Sequence, residues 1–89
     1  MPYISRRLKS FRKLYDDLPL PARALAVETY KKWTKNPDTL GLHFKPLRGY
    51  DDIWSINVGD HYRAVAVRDG NTVVWIWIGT HEAFNNKSF

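Results

Sequence analysis

The sequence predicts an α+β domain in which two antiparallel amino-terminal helices pack on one face of a twisted, four-stranded antiparallel sheet. Two observations lead to this prediction. In the amino-terminal part of the chain, apolar residues recur at every third or fourth position, which is typical of amphipathic helices. From about position 43 they recur at alternate positions, and short segments rich in Gly, Asp and Asn separate the apolar runs, as in strands joined by turns.

The two helices are predicted from their apolar spacing and their breakers. Ser5 is a suitable N-cap for the first helix, whose apolar positions are Leu8, Phe11, Leu14 and Leu18. The segment 16–19, Asp-Asp-Leu-Pro, interrupts this helix and starts the next one, because proline is tolerated in a first helical turn. The second helix is predicted to run to about Lys35, where Asn-Pro-Asp at 36–38 stops it.

Four strands are predicted over residues 43–47, 53–58, 61–68 and 72–78, with Gly79 ending the last one. In the second strand, Trp54, Ile56 and Val58 share one face, and Ser55 and Asn57 the other. The last strand is apolar on both faces and is therefore expected to be central in the sheet. The tail 80–89 is too short and polar for a long element.

Size and composition indicate one globular domain over residues 1–89. The chain is 44% hydrophobic and contains four Trp and four Phe, which bury large areas per side chain. It has no Cys, so a disulfide framework and a thiolate zinc site are excluded. No apolar run approaches the roughly 20 residues that cross a bilayer, and no signal-peptide core follows the amino terminus. We therefore expect a cytoplasmic protein without a membrane partner.

The positive charge is concentrated in the helical part. The net charge is +5, yet residues 1–35 hold nine Lys and Arg against three Asp and Glu, whereas residues 36–89 hold five against six. Such a balance is typical of proteins with an anionic partner, either nucleic acid or an acidic protein, and also of two solvated helix faces.

Two polar residues stand out in the predicted sheet. Arg63 interrupts an apolar strand and must find a partner or face solvent, since an unpaired buried guanidinium is very costly. It is an anion-binding residue, or a rim arginine, or the partner of Asp52 or Asp60 in an ion pair. His81 follows the last strand, next to Glu82, and histidine exchanges protons near neutral pH. It is either a catalytic residue or a solvated one.

Other candidates have two interpretations each. Lys45 and Arg48 flank the loop after the first strand and either hold phosphates or keep the surface soluble. Trp54 is a core residue or a base-stacking platform. No phosphate-binding glycine loop or dinucleotide fingerprint is present, and the three His have no metal-ligand spacing, so no cofactor and no metal site are expected.

Several segments follow one another in a characteristic order and spacing. They are Phe11 to Pro19, the helix to Trp33, Asn36-Pro37, 45–49 (Lys-Pro-Leu-Arg-Gly), 54–65 (Trp-Ser-Ile-Asn-Val-Gly-Asp-His-Tyr-Arg-Ala-Val) and 74–84 (Val-Trp-Ile-Trp-Ile-Gly-Thr-His-Glu-Ala-Phe). In these segments, and so over nearly its full length, the chain resembles the RelE/ParE superfamily of bacterial type II toxin–antitoxin toxins.

This resemblance implies a cognate antitoxin as partner and, in the RelE-like branch, cleavage of mRNA on the ribosome. Arg63 would then steady the scissile phosphate, and His81, with Glu82 beside it, would take part in proton transfer. Lys45 and Arg48 would hold neighbouring phosphates, and Phe84 would stack on a base.

The chain departs from the RelE-like pattern at two places. Residues 54–57 read Trp-Ser-Ile-Asn where RelE-like nucleases often have lysines, and Phe84 stands where many relatives have tyrosine. Three functions therefore stay open. They are a ribosome-dependent mRNA endoribonuclease, a ParE-like inhibitor of DNA gyrase without chemistry of its own, and a decayed toxin that only binds its antitoxin.

Overall fold

The computed structural model describes residues 3–89, and this part of the chain contains five strands and three helices. The strands are β1 (Ile4–Arg7), β2 (Lys45–Pro46), β3 (Ile53–Val58), β4 (Tyr62–Asp69) and β5 (Thr72–Thr80). The helices are α1 (Lys9–Asp16), α2 (Leu20–Lys35) and α3 (His81–Asn85).

All five strands form one sheet in the order β1-β5-β4-β3-β2. β1 pairs in parallel with β5, and the other neighbours are antiparallel. The predicted α+β class is confirmed, but the sheet has five strands and is mixed, not four and antiparallel. The four predicted strands are all present. Their central members, β3 to β5, match the predicted segments within two residues at each end, whereas β2 is reduced to two residues.

The additional strand, β1, replaces the predicted start of the first helix. Ser5 lies in β1, not at a helix N-cap, and its hydroxyl accepts a hydrogen bond from the Trp75 indole (Nε1–Oγ 3.1 Å). Leu8 is the N-cap residue of α1 and has no side-chain capping bond. The strand forms because residues 4–7 pair with β5. The pairing begins with Ile4 opposite Thr72, which lies 68 positions further along the chain. A local pattern of four residues carries no signal for such a contact.

The main core lies between the helices and one face of the sheet, which we call the helix face. Phe11 of α1 and Trp33 of α2 pack there against residues of the three central strands, which are Ile56, Val58, Ala64, Ala66, Val73, Trp75 and Ile78. Trp33 is stacked on Tyr3, with centroids 5.2 Å apart, and meets Trp75 edge to face at 5.3 Å. The alternation predicted for β3 is confirmed, since Ser55 lies on the opposite side, the open face, with its register partner Val65.

A β-bulge assigns the two tryptophans of β5 to opposite faces. Val65 pairs with Trp77 and the next residue, Ala66, pairs with Trp75, so that Ile76 has no counterpart on β4. Trp75 thus enters the core on the helix face, whereas Trp77 lies on the open face. Without the extra residue, Trp75 and Trp77 would lie on the same face, because side chains two positions apart in a regular strand share a face.

The tail also differs from the prediction. Gly79 does not end the last strand, because β5 continues to Thr80. The chain then forms the short helix α3, whose N-cap Thr80 accepts a hydrogen bond from the Ala83 amide (N–Oγ1 3.0 Å). Among the helices of residues 3–89, none combines the length and apolar character needed to cross a membrane.

We predict that Gly79→Ala destabilises the protein through Trp77. A Cβ at position 79 would lie 2.7 Å from Cη2 and Cζ2 of the Trp77 indole, and the backbone there needs no positive φ, so the effect is purely steric. Overpacking of this kind lowers the free energy of unfolding by about 1–3 kcal/mol. Urea unfolding followed by tryptophan fluorescence measures this change. Asn85→Ala, at an exposed position, is the control, and equal stability of both variants would contradict the packing described here.

Candidate functional site

The open face carries two adjacent rows of residues that the strand register places side by side. They are Lys45, Ser55, Val65 and Trp77 in the first row and Asn57, Arg63 and Gly79 in the second. Val65 and Ser55 are only 0% and 1% exposed, although no helix of the main core covers them. Side chains of the open face itself and of the carboxyl-terminal tail therefore shield this surface from water.

Arg63 lies at the centre of the open face and is half-buried. Its guanidinium makes two long polar contacts within residues 3–89, from Nε to His81 Nε2 and from Nη1 to Ser55 Oγ, both 3.5 Å. It also lies over the ring of Phe84, with Cζ 4.9 Å from the centroid. Contacts at the distance limit of a hydrogen bond are weak, and a cation–π contact contributes about 0.5–1 kcal/mol at exposed sites. Arg63 is therefore oriented but its donors are available to an anion.

The ion-pair interpretation, with Arg63 paired to Asp52 or Asp60, finds no support in the described part of the chain. Both aspartates lie in loops and are exposed, and the polar partners of Arg63 are His81 and Ser55. A guanidinium without a carboxylate partner keeps its full positive charge for a ligand. Anion binding by Arg63 stays a prediction.

His81 is positioned by the backbone at the end of β5. Its amide donates to the carbonyl of His61 (2.8 Å), which fixes the start of α3 to the start of β4. The Thr80 cap holds the following turn. His81 Nε2 lies 3.5 Å from Arg63 Nε, a separation at the limit of a hydrogen bond. The side chains of His81 and Arg63 are thus neighbours at the end of the sheet, and the predicted role of His81 in proton transfer stays a prediction.

Phe84 belongs to an aromatic cluster on the open face, which we call the aromatic cap and which consists of Trp77, Phe84 and Phe89. The Trp77 ring lies 6.3 Å from Phe84 and 5.8 Å from Phe89, and the two phenylalanines are 5.8 Å apart. The cap attaches α3 and the tail to the sheet. Within the cap, Phe84 is the residue that contacts Arg63. Phe84, predicted to stack on a base, thus lies directly beside Arg63, predicted to bind phosphate.

The structure brings Lys45 towards this site but leaves Arg48 apart. Lys45 is directly opposite Ser55 in the register, is exposed, and lies on the open face two strands from Arg63, about 10 Å away at the usual strand spacing. Arg48 lies in the turn that follows β2, where the Tyr50 amide donates to the Leu47 carbonyl (3.0 Å). That turn adjoins the Ile53 end of β3, whereas Arg63 faces the Val58 end.

Trp54 lies on the helix face and so does not share a surface with Arg63. Its ring is 4.9 Å from that of Phe44, and the Arg68 guanidinium lies over it at 4.4 Å. The alternation in β3 that places Ser55 on the open face necessarily places Trp54 on the other side. Of the two interpretations of Trp54, packing at the edge of the core is the one that the structure supports, and Trp54 is not part of the site around Arg63.

Glu82 is exposed in the first turn of α3. Successive helical residues point in different directions, so Glu82 does not face the same side as His81. An acidic residue in a first turn interacts favourably with the amide groups of the helix N-terminus. The position of Glu82 therefore supports α3 itself, and its predicted catalytic role stays a prediction.

Comparison with known proteins places this geometry in a family. The family model of the ParE-like toxin domain matches residues 23–86, which is more than half of the chain and includes Arg63, His81 and Phe84. The chain belongs to the ParE-like toxin family.

Solved structures agree with this assignment. The toxin–antitoxin complex RelBE2 from Mycobacterium tuberculosis matches with a TM-score of 0.72 and 26% identity, over 91% of this chain and 100% of that one. The RelB–RelE complex from Methanococcus jannaschii matches with a TM-score of 0.72 and 20% identity, over 91% and 95%. A free mutant RelE toxin from Escherichia coli matches with a TM-score of 0.71 and 22% identity, over 96% and 90%. Among curated protein sequences, none matches.

Sequence reasoning missed several residues that shape the site of this ParE-like domain. Ser55 was placed on the correct face by alternation, but its contact with Arg63 depends on the register between β3 and β4. The position of Trp77 on the open face could not be predicted, because the bulge that places it there has no local signature. Phe89 was not singled out, since a terminal phenylalanine gives no pattern. In residues 3–89 no group of His, Asp and Glu is arranged to hold a metal ion.

Proposed function

We propose that this ParE-like protein is the toxin of a type II toxin–antitoxin system and cleaves mRNA on the ribosome in the cytoplasm. The observation that supports this proposal most is the adjacency of Arg63 and His81 on the open face, with 3.5 Å between Nε and Nε2. One group binds phosphate and the other transfers protons, which are the two functions that RNA cleavage by the 2′-hydroxyl needs.

In this proposal Arg63 binds the scissile phosphate. A guanidinium is permanently charged, and its planar donors match phosphate oxygens two at a time. The contacts that Arg63 would give up are two long hydrogen bonds and one cation–π contact, so exchange for a charge-assisted bidentate contact is favourable. Lys45, two strands away on the same face, would bind a neighbouring phosphate.

His81 would move one of the two protons of the reaction. The 2′-oxygen forms a bond to phosphorus, the bond from phosphorus to the 5′-oxygen breaks, and a cyclic phosphate results. His81 serves either as the base that accepts the 2′-hydroxyl proton or as the acid that protonates the leaving 5′-oxygen.

Phe84 would stack on the base next to the scissile bond. Its ring face is occupied by the Arg63 guanidinium, and the movement of Arg63 to the phosphate would release that face. Stacking on an aromatic ring contributes about 1–3 kcal/mol per base and tolerates any base. A single movement of Arg63 would thus allow both the phosphate and the base to bind.

Inhibition of DNA gyrase without chemistry is the alternative. Two observations favour it, the match to the ParE-like family model and the concentration of positive charge in residues 1–35. In that case the helices, and not the open face, would contact the target.

An antitoxin is the proposed protein partner, and one groove fits the kind of segment expected. The groove lies between β1, α1 and α2, has a volume of about 640 Å³, and is lined by apolar groups that include Val27 and Tyr30, which are 43% and 44% exposed. Arg6, Arg7 and Lys31 also line it. An amphipathic helix with acidic flanks is complementary to such a surface. The RelE proteins from M. tuberculosis and M. jannaschii were solved with their RelB antitoxins.

We predict that Arg63→Ala and His81→Asn each abolish mRNA cleavage while leaving the fold intact. Loss of a phosphate-binding donor reduces the cleavage rate by about 10²–10³-fold, and loss of an acid or base by about 10²–10⁴-fold. Cleavage is measured with purified protein, programmed ribosomes and end-labelled mRNA. Arg12→Ala, exposed on α1, and His43→Asn, exposed before β2, are the matched controls and should stay within about threefold of the wild type.

The same proteins are assayed for inhibition of gyrase supercoiling. Inhibition by the wild type without mRNA cleavage would replace the nuclease proposal by the gyrase alternative. Growth arrest that is unchanged in both Arg63→Ala and His81→Asn would show that the open face is not the site. Expression of the wild type without any growth defect would favour the decayed toxin.

We predict that Val27→Asp weakens antitoxin binding by at least about tenfold, because it places a charge in an apolar groove. Affinity for the product of the neighbouring gene is measured by titration calorimetry. Leu40→Asp is the control, since Leu40 is 98% exposed and lies outside the groove. Equal affinities of the two variants would mean that the antitoxin binds elsewhere.

A further inference from the structure

Arg68 lies on the helix face of β4, and several contacts hold its guanidinium in place. Its Nε donates to the Gly70 carbonyl (3.0 Å), and its Cζ lies 4.6 Å from the Tyr3 centroid and 4.4 Å from that of Trp54. Tyr3 stacks in turn on Trp33, and Trp54 packs at an angle against Phe44, with ring centroids 4.9 Å apart. The guanidinium is therefore clamped by two rings, and each ring packs in turn against another aromatic side chain of the helix face. One of its five N–H donors is used, and its position is fixed before any ligand arrives.

The clamped guanidinium of Arg68 lines a polar pocket of about 440 Å³ at the end of the sheet. The pocket is formed by the carboxyl-terminal end of α2, the turn after it, the start of β1, and the β4–β5 turn. Its lining includes Lys35, Asn36, Asp38 and Asn71 besides Arg68. Asn36 Oδ1 accepts the Asp38 amide (3.0 Å), which leaves the two Nδ2 donors of Asn36 free of that bond.

Charges in the pocket do not all favour an anion. Asp38 contributes one negative charge, and the carbonyl end of α2 adds a partial one. Arg68 and Lys35 supply two positive charges, so the sum of formal charges in this lining is +1. We therefore expect the pocket to bind an anion with moderate affinity. The Asp38 carboxylate lowers that affinity, so neutralising Asp38 should raise it.

We infer that the Arg68 pocket is a second anion-binding site, which binds a backbone phosphate of nucleic acid through Arg68, Lys35 and the amide groups of Asn36 and Asn71. A phosphate presents several acceptor oxygens in a tetrahedral arrangement and so engages a fork of N–H donors together with a lysine and amides. A pocket of this volume admits a phosphate with its attached sugar. The clamped guanidinium loses little conformational entropy on binding, because its side chain is already ordered.

The Arg68 pocket is distinct from the open face. Arg63 and Arg68 are five positions apart on β4, which places them on opposite faces and separates them by about 17 Å along the strand. A nucleotide bound at Arg63 cannot reach Arg68. Phosphate binding at Arg68 is therefore independent of the proposed nuclease, and a chain that cuts no RNA would still show it.

Solution NMR of the full chain tests this inference. The Arg68 Nε–H and the Trp54 indole N–H report on the pocket, and they are followed during titration with a short 2′-O-methylated oligoribonucleotide, which cannot be cleaved. We expect both signals to shift and saturate. We also expect Arg68→Gln to weaken binding by about 5–10-fold and to lower the slope of log Kd against log salt by about 1, as the loss of one phosphate contact does.

Two exposed positions keep the test valid should Arg68→Gln fail to fold. Lys35→Gln should weaken binding by about 2–3-fold, and Asp38→Asn should strengthen it by about 2–3-fold because it removes the opposing charge. Arg12→Gln, on the outer side of α1, removes the same charge as Arg68→Gln and is the control for general electrostatics. An effect of Asp38→Asn in the opposite direction, or equal effects of Lys35→Gln and Arg12→Gln, would overturn the inference.

Two further ligands distinguish the source of the phosphate. Inorganic phosphate alone should shift the Arg68 Nε–H only at millimolar concentration, whereas the oligoribonucleotide shifts it at lower concentration. If free phosphate binds as tightly as the oligoribonucleotide, the pocket is not a site for a nucleic-acid backbone, and the inference is wrong. If a polyglutamate peptide shifts the same signals at the same concentration, the pocket binds acidic protein segments, and the inference is wrong.

Discussion

The β-bulge opposite Val65 and Ala66 is the constraint on which the rest of the structure depends. It turns Trp75 to the helix face and Trp77 to the open face, although the two residues are separated by one position. Trp75 then completes the main core against Trp33, and Trp77 becomes the base of the aromatic cap. One irregular residue in β5 thereby lets a small domain build two aromatic clusters on the two faces of a single sheet.

The second cluster determines where the candidate site lies. Phe84 and Phe89 bind to Trp77, and this contact holds α3 over the end of the sheet, so that His81 lies beside Arg63. A sheet that was covered only on the helix face would leave Arg63 in solvent. The site thus consists of a sheet residue and a helix residue that the aromatic cap joins. Arg63 itself is held by weak contacts, which suits a residue that exchanges protein partners for a ligand.

The two arginines of β4 illustrate how the same side chain is used in different ways. Arg63 lies over the face of one phenylalanine ring, with long contacts to His81 and Ser55. Arg68 is clamped between Tyr3 and Trp54 and donates a short hydrogen bond to a carbonyl. The first can move when a ligand arrives, and the second is already in place. A movable guanidinium suits chemistry at a reacting phosphate, whereas a fixed one suits a contact that only positions the nucleic acid.

Sequence patterns predicted the parts of this structure that depend on local periodicity. The alternation in β3 placed Ser55 and Trp54 on their correct opposite faces, and the Gly70 turn between β4 and β5 lies where it was expected, with a φ of 59° that glycine adopts readily. The class of fold followed from the change of period alone. The polar exceptions Arg63 and His81 were also visible, since both interrupt or end an apolar strand.

Other parts of the structure depend on contacts between distant residues and had no local signal. β1 exists because its four residues pair with β5, and Ser5 was misassigned as a cap for this reason. The bulge changes the face of Trp77 without any change in composition. Arg48 could not be separated from the other candidates, because only the register shows that it lies near the Ile53 end of β3, away from Arg63.

The most direct test of the central claim is the structure of this protein on a ribosome whose A-site codon carries a 2′-O-methylated, uncleavable nucleotide. The account predicts that the Arg63 guanidinium has left Phe84 and binds the phosphate that follows the modified sugar, with the His81 ring next to the 2′-oxygen. A complex in which the open face points away from the mRNA, or in which Arg63 stays on Phe84 while the nucleotide is ordered, would contradict it.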